Sequence, residues 1–136
     1  MSIASDQEST MIDICPLSAL TPERGSAALL PDGTQIAVFL LDDGSVHAVQ
    51  QHDPYSGTNI LSRGLVGTHR VPAEGEDPES APVVPTLASP MFKQVWNLDT
   101  GEVIDAGGGE PQTIAVFDVA VEDGTVRVAT APRNRS

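Results

Sequence analysis

Two stretches decide how this chain is read: His52-Asp53-Pro54-Tyr55-Ser56-Gly57 and Ser89-Pro90-Met91-Phe92-Lys93-Gln94. Each lies between runs of β character, and each sets a proline just ahead of a ring, Tyr55 or Phe92. Proline fixes φ and cannot donate to a ladder, so both stretches read as loops that interrupt strands. Matching loops of this kind are expected to face each other across one fold.

Outward from the first loop, Gln35 to Leu41 is a strand rich in Ile, Val, Phe and Leu. Asp42-Asp43-Gly44-Ser45 turns it, because Asp-Gly supplies the positive φ of a tight hairpin, and Val46 to Val49 returns. Val83 to Leu87 enters the second loop and Gln94 to Leu98 leaves it. Asp99-Thr100-Gly101-Glu102 and Glu122-Asp123-Gly124-Thr125 are further turns, flanked by Val103-Ile104, by Thr113 to Val121 and by Val126 to Val128. Met11 to Cys15 begins the fold as a strand, and one helical turn follows at Leu17 to Leu20. Ser26 to Leu30 and Gly64 to Gly67 are short apolar pieces. Many short strands with regular turns and almost no helical periodicity predict an all-β fold, an antiparallel sandwich or barrel.

The expected organisation is one domain over 11–130, with a disordered tail at 1–10 and a second tail at 131–136. Within the domain, 69–85 carries Pro72, Pro78, Pro82 and Pro85 beside Glu74, Glu76, Asp77 and Glu79. That composition buries little apolar surface, so the segment is expected to be an exposed, mobile insertion.

At 136 residues and 40% hydrophobic content, the chain can bury a core. Nineteen acids against seven Lys and Arg give a formal charge of −12, which repels phosphate backbones and excludes nucleic acid as a natural partner. The acidity either solvates the surface or favours a partner with a basic face. No apolar run reaches membrane-spanning length, and the polar start lacks the pattern of a signal peptide. Cys15 is the one cysteine, so no intramolecular disulfide forms. It reads as a small packing residue in a chain expected to reside in the cytoplasm.

No catalytic set is visible. Ser56, Ser62 and Ser89 lack a histidine–acid arrangement, and the three histidines lack zinc spacing. Gly107-Gly108-Gly109 lacks the strand-and-helix context of a phosphate loop. His52 and Asp53 are adjacent, so on extended backbone they point in opposite directions and make a poor metal pair. Asp53 is expected to cap its own loop through backbone N–H groups.

Three pieces in order carry a family resemblance: Asp53-Pro54-Tyr55-Ser56-Gly57 continuing to Gly64, Ala88-Ser89-Pro90-Met91-Phe92-Lys93-Gln94, and Trp96-Asn97-Leu98-Asp99-Thr100-Gly101-Glu102. Together they resemble the Rieske iron–sulfur fold, whose loops carry C-x-H and C-x-x-H ligands to a [2Fe–2S] cluster. Aligned on the prolines, Asp53 and Ser89 take the two cysteine places, and Tyr55 and Phe92 the two histidine places. A Rieske-like frame without its ligands resembles the small subunit of the assimilatory NAD(P)H-dependent nitrite reductase. The resemblance implies an accessory chain with no cofactor of its own. Its large subunit would hold FAD, sirohaem and an iron–sulfur cluster and reduce nitrite to ammonium. The other reading is a free-standing cluster-less module serving another oxidoreductase. Tyr55 and Phe92 either plug the space of the lost cluster or, with Met91, form an apolar docking knob. Lys93 and Arg63 either pair with a local acid such as Asp53 or meet an acidic group on the partner.

Overall fold

The computed structural model describes residues 10–70, 75, 77–91 and 93–134. Phe92, residues 1–9 of the expected N-terminal tail, 71–74 and 76 of the expected insertion and 135–136 of the second tail therefore lie outside the described residues. Among the described residues twelve strands occur in order. They are β1 (Met11–Pro16), β2 (Gly25–Leu29), β3 (Gln35–Leu40), β4 (Val46–Gln50), β5 (His52–Asp53) and β6 (Thr58–Asn59), followed by β7 (Leu65–Arg70), β8 (Val83–Ala88), β9 (Val95–Asn97), β10 (Val103–Asp105), β11 (Val116–Glu122) and β12 (Thr125–Pro132). Single 3-10 turns occur at Leu17–Ala19, Leu61–Arg63 and Pro78–Ser80.

An antiparallel six-stranded sheet runs β1-β12-β11-β4-β3-β2, and a four-stranded sheet runs β10-β9-β8-β7. β5 and β6 form a small ribbon of their own. The large sheet curls, so β3 is covered on both faces. Its alternate residues divide accordingly, because side chains on a strand alternate between faces. Ala37 and Phe39 join one core with Val49, Leu87, Trp96 and Leu98. Ile36 and Val38 join a second core with Ala48, Phe117, Val126 and Val128. Cys15 packs on the second core and carries no disulfide, and burial pushes its thiol pKa up.

The all-β fold, the Asp-Gly hairpin between β3 and β4 and the strands flanking both loops agree with the sequence reading. Three boundaries differ. β7 runs to Arg70, inside the segment read as an insertion, because His69 and Arg70 pair with Val84 and Val83 of β8. Arg70 also donates to the Ala81 carbonyl at 2.8 Å, and Ala81 is buried. β11 begins at Val116 rather than Thr113. At its start, side-chain amides supplement the backbone bonds to β4: Gln50 Oε1 accepts the Ala115 N–H and Asn134 Oδ1 accepts the Val116 N–H, both at 2.7 Å, while the Ala115 carbonyl accepts the Gln50 N–H at 3.0 Å. Asn134 donates in turn to the carbonyls of Thr100 and Ile114, so the chain stays anchored past residue 130. Among the described residues no helix is long and apolar enough to cross a membrane.

Candidate functional site

The first loop is the turn between β5 and β6, and the second joins β8 to β9. Asp53 is the residue around which the first loop closes. Its side chain is fully buried. Its Oδ1 accepts the Tyr55 N–H at 2.9 Å and the Ser56 N–H at 3.4 Å, and its carbonyl accepts the Gly57 N–H at 2.8 Å. This is the local cap that an aspartate ahead of a turn commonly makes. Gly57 takes φ +75, a backbone region open to glycine, and so completes the turn.

The second carboxylate oxygen reaches the other loop. Ser89 Oγ donates to Asp53 Oδ2 at 2.6 Å, and both residues are buried. Ser89 is held from its own side too, since its Oγ accepts the Met91 N–H at 3.1 Å and its N–H donates to the Gln94 carbonyl at 2.8 Å. One short hydrogen bond to a carboxylate, of the stronger charge-assisted kind, thus joins the two loops. These are the two residues that the sequence reading aligned with the cysteine places of a Rieske frame.

Tyr55 turns inward. Its ring lies 5.8 Å from that of Trp96, tilted by 43°. Its hydroxyl donates to the Glu110 carbonyl at 2.6 Å and accepts the Gln112 N–H at 3.0 Å. Trp96 Nε1 donates to the Gln112 carbonyl at 2.9 Å. The two rings therefore hold the 110–112 segment over the core. Met91, Lys93 and Arg63 are exposed at the surface. Among the described residues neither cation ion-pairs with Asp53. The Asp53 carboxylate is occupied by Ser89 and by backbone N–H groups instead.

A [2Fe–2S] cluster of Rieske type needs two thiolates and two imidazoles at these places. Asp53 and Ser89 offer hard oxygens already bonded to each other, and the Tyr55 hydroxyl is committed to Glu110 and Gln112. Cys15 packs on the other core, and His52, exposed, faces Asn59 at 3.2 Å. These residues do not fit the cluster. Among the described residues no group of three or more His, Cys, Asp and Glu side chains is placed to hold a metal.

Sequence reasoning missed three features. Buried Gln51 clamps the 3-10 turn behind the first loop: its Nε2 donates to Ser62 Oγ at 2.9 Å, and its Oε1 accepts the Ser62 N–H at 2.6 Å. Gln94 is buried with its Oε1 unpartnered among the described residues. A row of Asp43, Ser45, His47 and Asp99 lies along a separate groove. Ser45 Oγ donates to Asp43 Oδ1 at 2.6 Å, so His47 Nε2, 3.0 Å from that hydroxyl, is the donor of their bond. His47 Nδ1 stands 3.6 Å from Asp99. Burial pushes the His47 pKa down against the pull of Asp99 and Asp43, which favours the neutral ring. The i, i+2 spacing of Asp43, Ser45 and His47 was available in the sequence; the approach of Asp99 was not.

Comparison with known proteins agrees with this frame. The Rieske-like [2Fe-2S] domain family matches residues 10–129. The NADH nitrite reductase small subunit of Escherichia coli K12 is 32% identical over 117 residues, covering 85% of this chain and 94% of that protein. The NAD(P)H nitrite reductase large subunit of Klebsiella oxytoca is 38% identical over 115 residues, covering 85% of this chain but only 10% of that protein. The crystal structure of a proposed NADH-dependent nitrite reductase small subunit from Mycobacterium tuberculosis superposes with a TM-score of 0.71 at 36% identity, covering 93% of this chain and 97% of that one. The chain belongs to the Rieske-like domain family and, within it, to the small subunits of NAD(P)H-dependent nitrite reductase.

Proposed function

We propose that this chain is the small accessory subunit of a cytoplasmic NAD(P)H-dependent nitrite reductase and works there without a cluster of its own. One observation carries the association. A stretch 38% identical to this chain lies within a polypeptide that is itself named a nitrite reductase large subunit. Two chains that are separate in one organism and joined in another are expected to sit against each other. The lost ligands and the Asp53–Ser89 bond support a role in shaping or stabilising the large subunit rather than carrying electrons. Nitrite reduction to ammonium would then proceed on the large subunit, with the FAD, sirohaem and iron–sulfur cluster that the family resemblance implies there.

The docking face we propose is the end of the fold where the second loop projects. Met91 is 55% exposed, and Leu65, paired with Ala88 just before that loop, is 76% exposed. Lys93 and Arg63 supply positive charge there. Aromatic residues and methionine are enriched at interface cores. The test is capture of the tagged chain from cells grown on nitrate or nitrite as sole nitrogen source. The eluate is read for a sirohaem band and for NAD(P)H-dependent nitrite consumption. Both are expected, and Met91→Asp is expected to abolish both while leaving the fold intact. The chain eluting alone while the reductase is present in the lysate would overturn the proposal.

A further inference from the structure

We propose that the groove between the β3–β4 turn and the β7–β8 hairpin is a second attachment point, which takes a segment of the large subunit carrying Lys or Arg beside an apolar side chain. The inference rests on the small-subunit reading and adds to it a site far from the loops. The groove encloses about 590 Å³. Its apolar lining comes from Leu41, Val66, Val83, Val84 and Pro85, of which Val66, Val83 and Pro85 share one face of the hairpin. The rim carries four carboxylates, Glu23, Asp42, Asp43 and Asp99, and among the described residues no Lys or Arg lines it.

The apolar wall has a structural origin. β9 pairs with β8 only over Thr86–Ala88, whereas β7 and β8 pair from Leu65–Ala88 to Arg70–Val83. The hairpin therefore outruns its third strand. The row that buries Leu87 against Trp96 continues past the core to Pro85 and Val83, and Val83 is 50% exposed. An exposed apolar strand face favours an occupant that can bury it.

Charge decides which occupant. Asp43 is engaged by Ser45, and Asp99 faces His47. Glu23 and Asp42 meet each other, and that hydrogen bond and the neighbouring negative charge push the Glu23 pKa up. A cation entering between them relieves their repulsion. His47, favoured neutral, does not supply that charge. Complementary charge with an apolar contact fits a basic segment of a protein better than a phosphate-bearing ligand, which four carboxylates repel. The groove sits at Val84, four residues along β8 from Ala88 at the docking end, roughly 13 Å away. Leu65 and the groove row of Val66, Pro85 and Val83 lie on opposite faces of the hairpin, so a partner that reaches both would straddle it and be fixed in orientation.

The experiment measures binding of the purified chain to the large subunit across a salt series. The variants are Glu23→Gln with Asp42→Asn, Val83→Ser, and the loop-tip change Met91→Asp, each checked for native circular dichroism. The carboxylate pair variant is expected to bind roughly ten-fold more weakly at low salt and to show a shallower salt dependence. Val83→Ser is expected to weaken binding with the salt slope unchanged. Wild-type affinity and salt slope in both groove variants, with Met91→Asp still defective, would overturn the groove and leave the small-subunit reading standing. No binding by the wild-type chain would overturn both. Competition by spermidine with no effect of Val83→Ser would make the groove a small-cation site and refute a protein segment.

Discussion

Breaking the Asp53–Ser89 bond should loosen both loops together. Ser89→Ala removes the 2.6 Å donor to a fully buried carboxylate and the acceptor of the Met91 N–H. Bonds to charged groups contribute about 1.5–3 kcal/mol, and an orphaned buried group costs a similar amount, so a loss of about 2–3 kcal/mol is expected. Asp53→Ala also strips the acceptor from the Tyr55 and Ser56 N–H groups. Its expected cost is about 3–5 kcal/mol, a large share of the stability of an ordinary domain. The double variant should cost less than the sum, because each single change already breaks the shared bond. A coupling of about 1.5–3 kcal/mol is expected, within the range seen for residues in direct contact. Urea unfolding with a constant slope measures all three. Should Asp53→Ala prove too unstable, Asp53→Asn keeps one acceptor oxygen and takes its place in the cycle. Additivity within about 0.5 kcal/mol would refute the claim that this bond joins the loops.

Tyr55→Phe keeps the ring against Trp96 but loses both hydroxyl bonds. It should cost about 1–2 kcal/mol and speed hydrogen exchange at the Gln112 amide, whose unchanged protection would contradict the anchoring of 110–112 by the Tyr55 hydroxyl. Burial holds the His47 pKa below its ordinary 6.5, so on acidification the unfolded chain takes that proton first. Stability should therefore be full above about pH 6.5 and fall as pH drops toward the lowered folded-state value. His47→Gln should flatten that part of the urea-midpoint profile, and an unchanged slope would assign it to other groups. Gly101→Ala should cost more than about 2 kcal/mol, since the new Cβ would lie 2.1 Å from the Ile114 carbonyl oxygen at φ +79. A near-neutral thermal unfolding result would mean that the turn after Trp96 relaxes freely.

The parts of the fold legible in the sequence were those set by neighbouring residues. Asp42-Asp43-Gly44-Ser45 specifies its hairpin locally, and Asp53 caps the backbone two and three residues on. Local rules cannot say which chemistry crosses from one loop to another. Ser89 lies 36 residues from Asp53, and Glu110 lies 55 from Tyr55, so both bonds follow from sheet closure rather than from spacing. Proline and acid content described 69–85 by composition alone. It missed that His69 and Arg70 gain pairing partners from β8. At 113–115 the alternating pattern predicted strand, but there the Ala115 N–H goes to the Gln50 side chain, the Ile114 carbonyl takes the Asn134 amide and the Ile114 N–H goes to the Gly101 carbonyl in place of a regular ladder. The groove escaped notice because its wall and rim come from turns and strands far apart in the chain.

The central claim is that a hydrogen bond between Asp53 and Ser89 stands where a Rieske domain places its cluster. The most direct measurement is iron and acid-labile sulfide per chain, with the visible spectrum, after anaerobic purification from iron-replete cells. The account predicts a colourless protein with neither element in stoichiometric amount, folded and competent to bind the large subunit. Two irons and two sulfides per chain, with the absorption of a [2Fe–2S] centre, would contradict it.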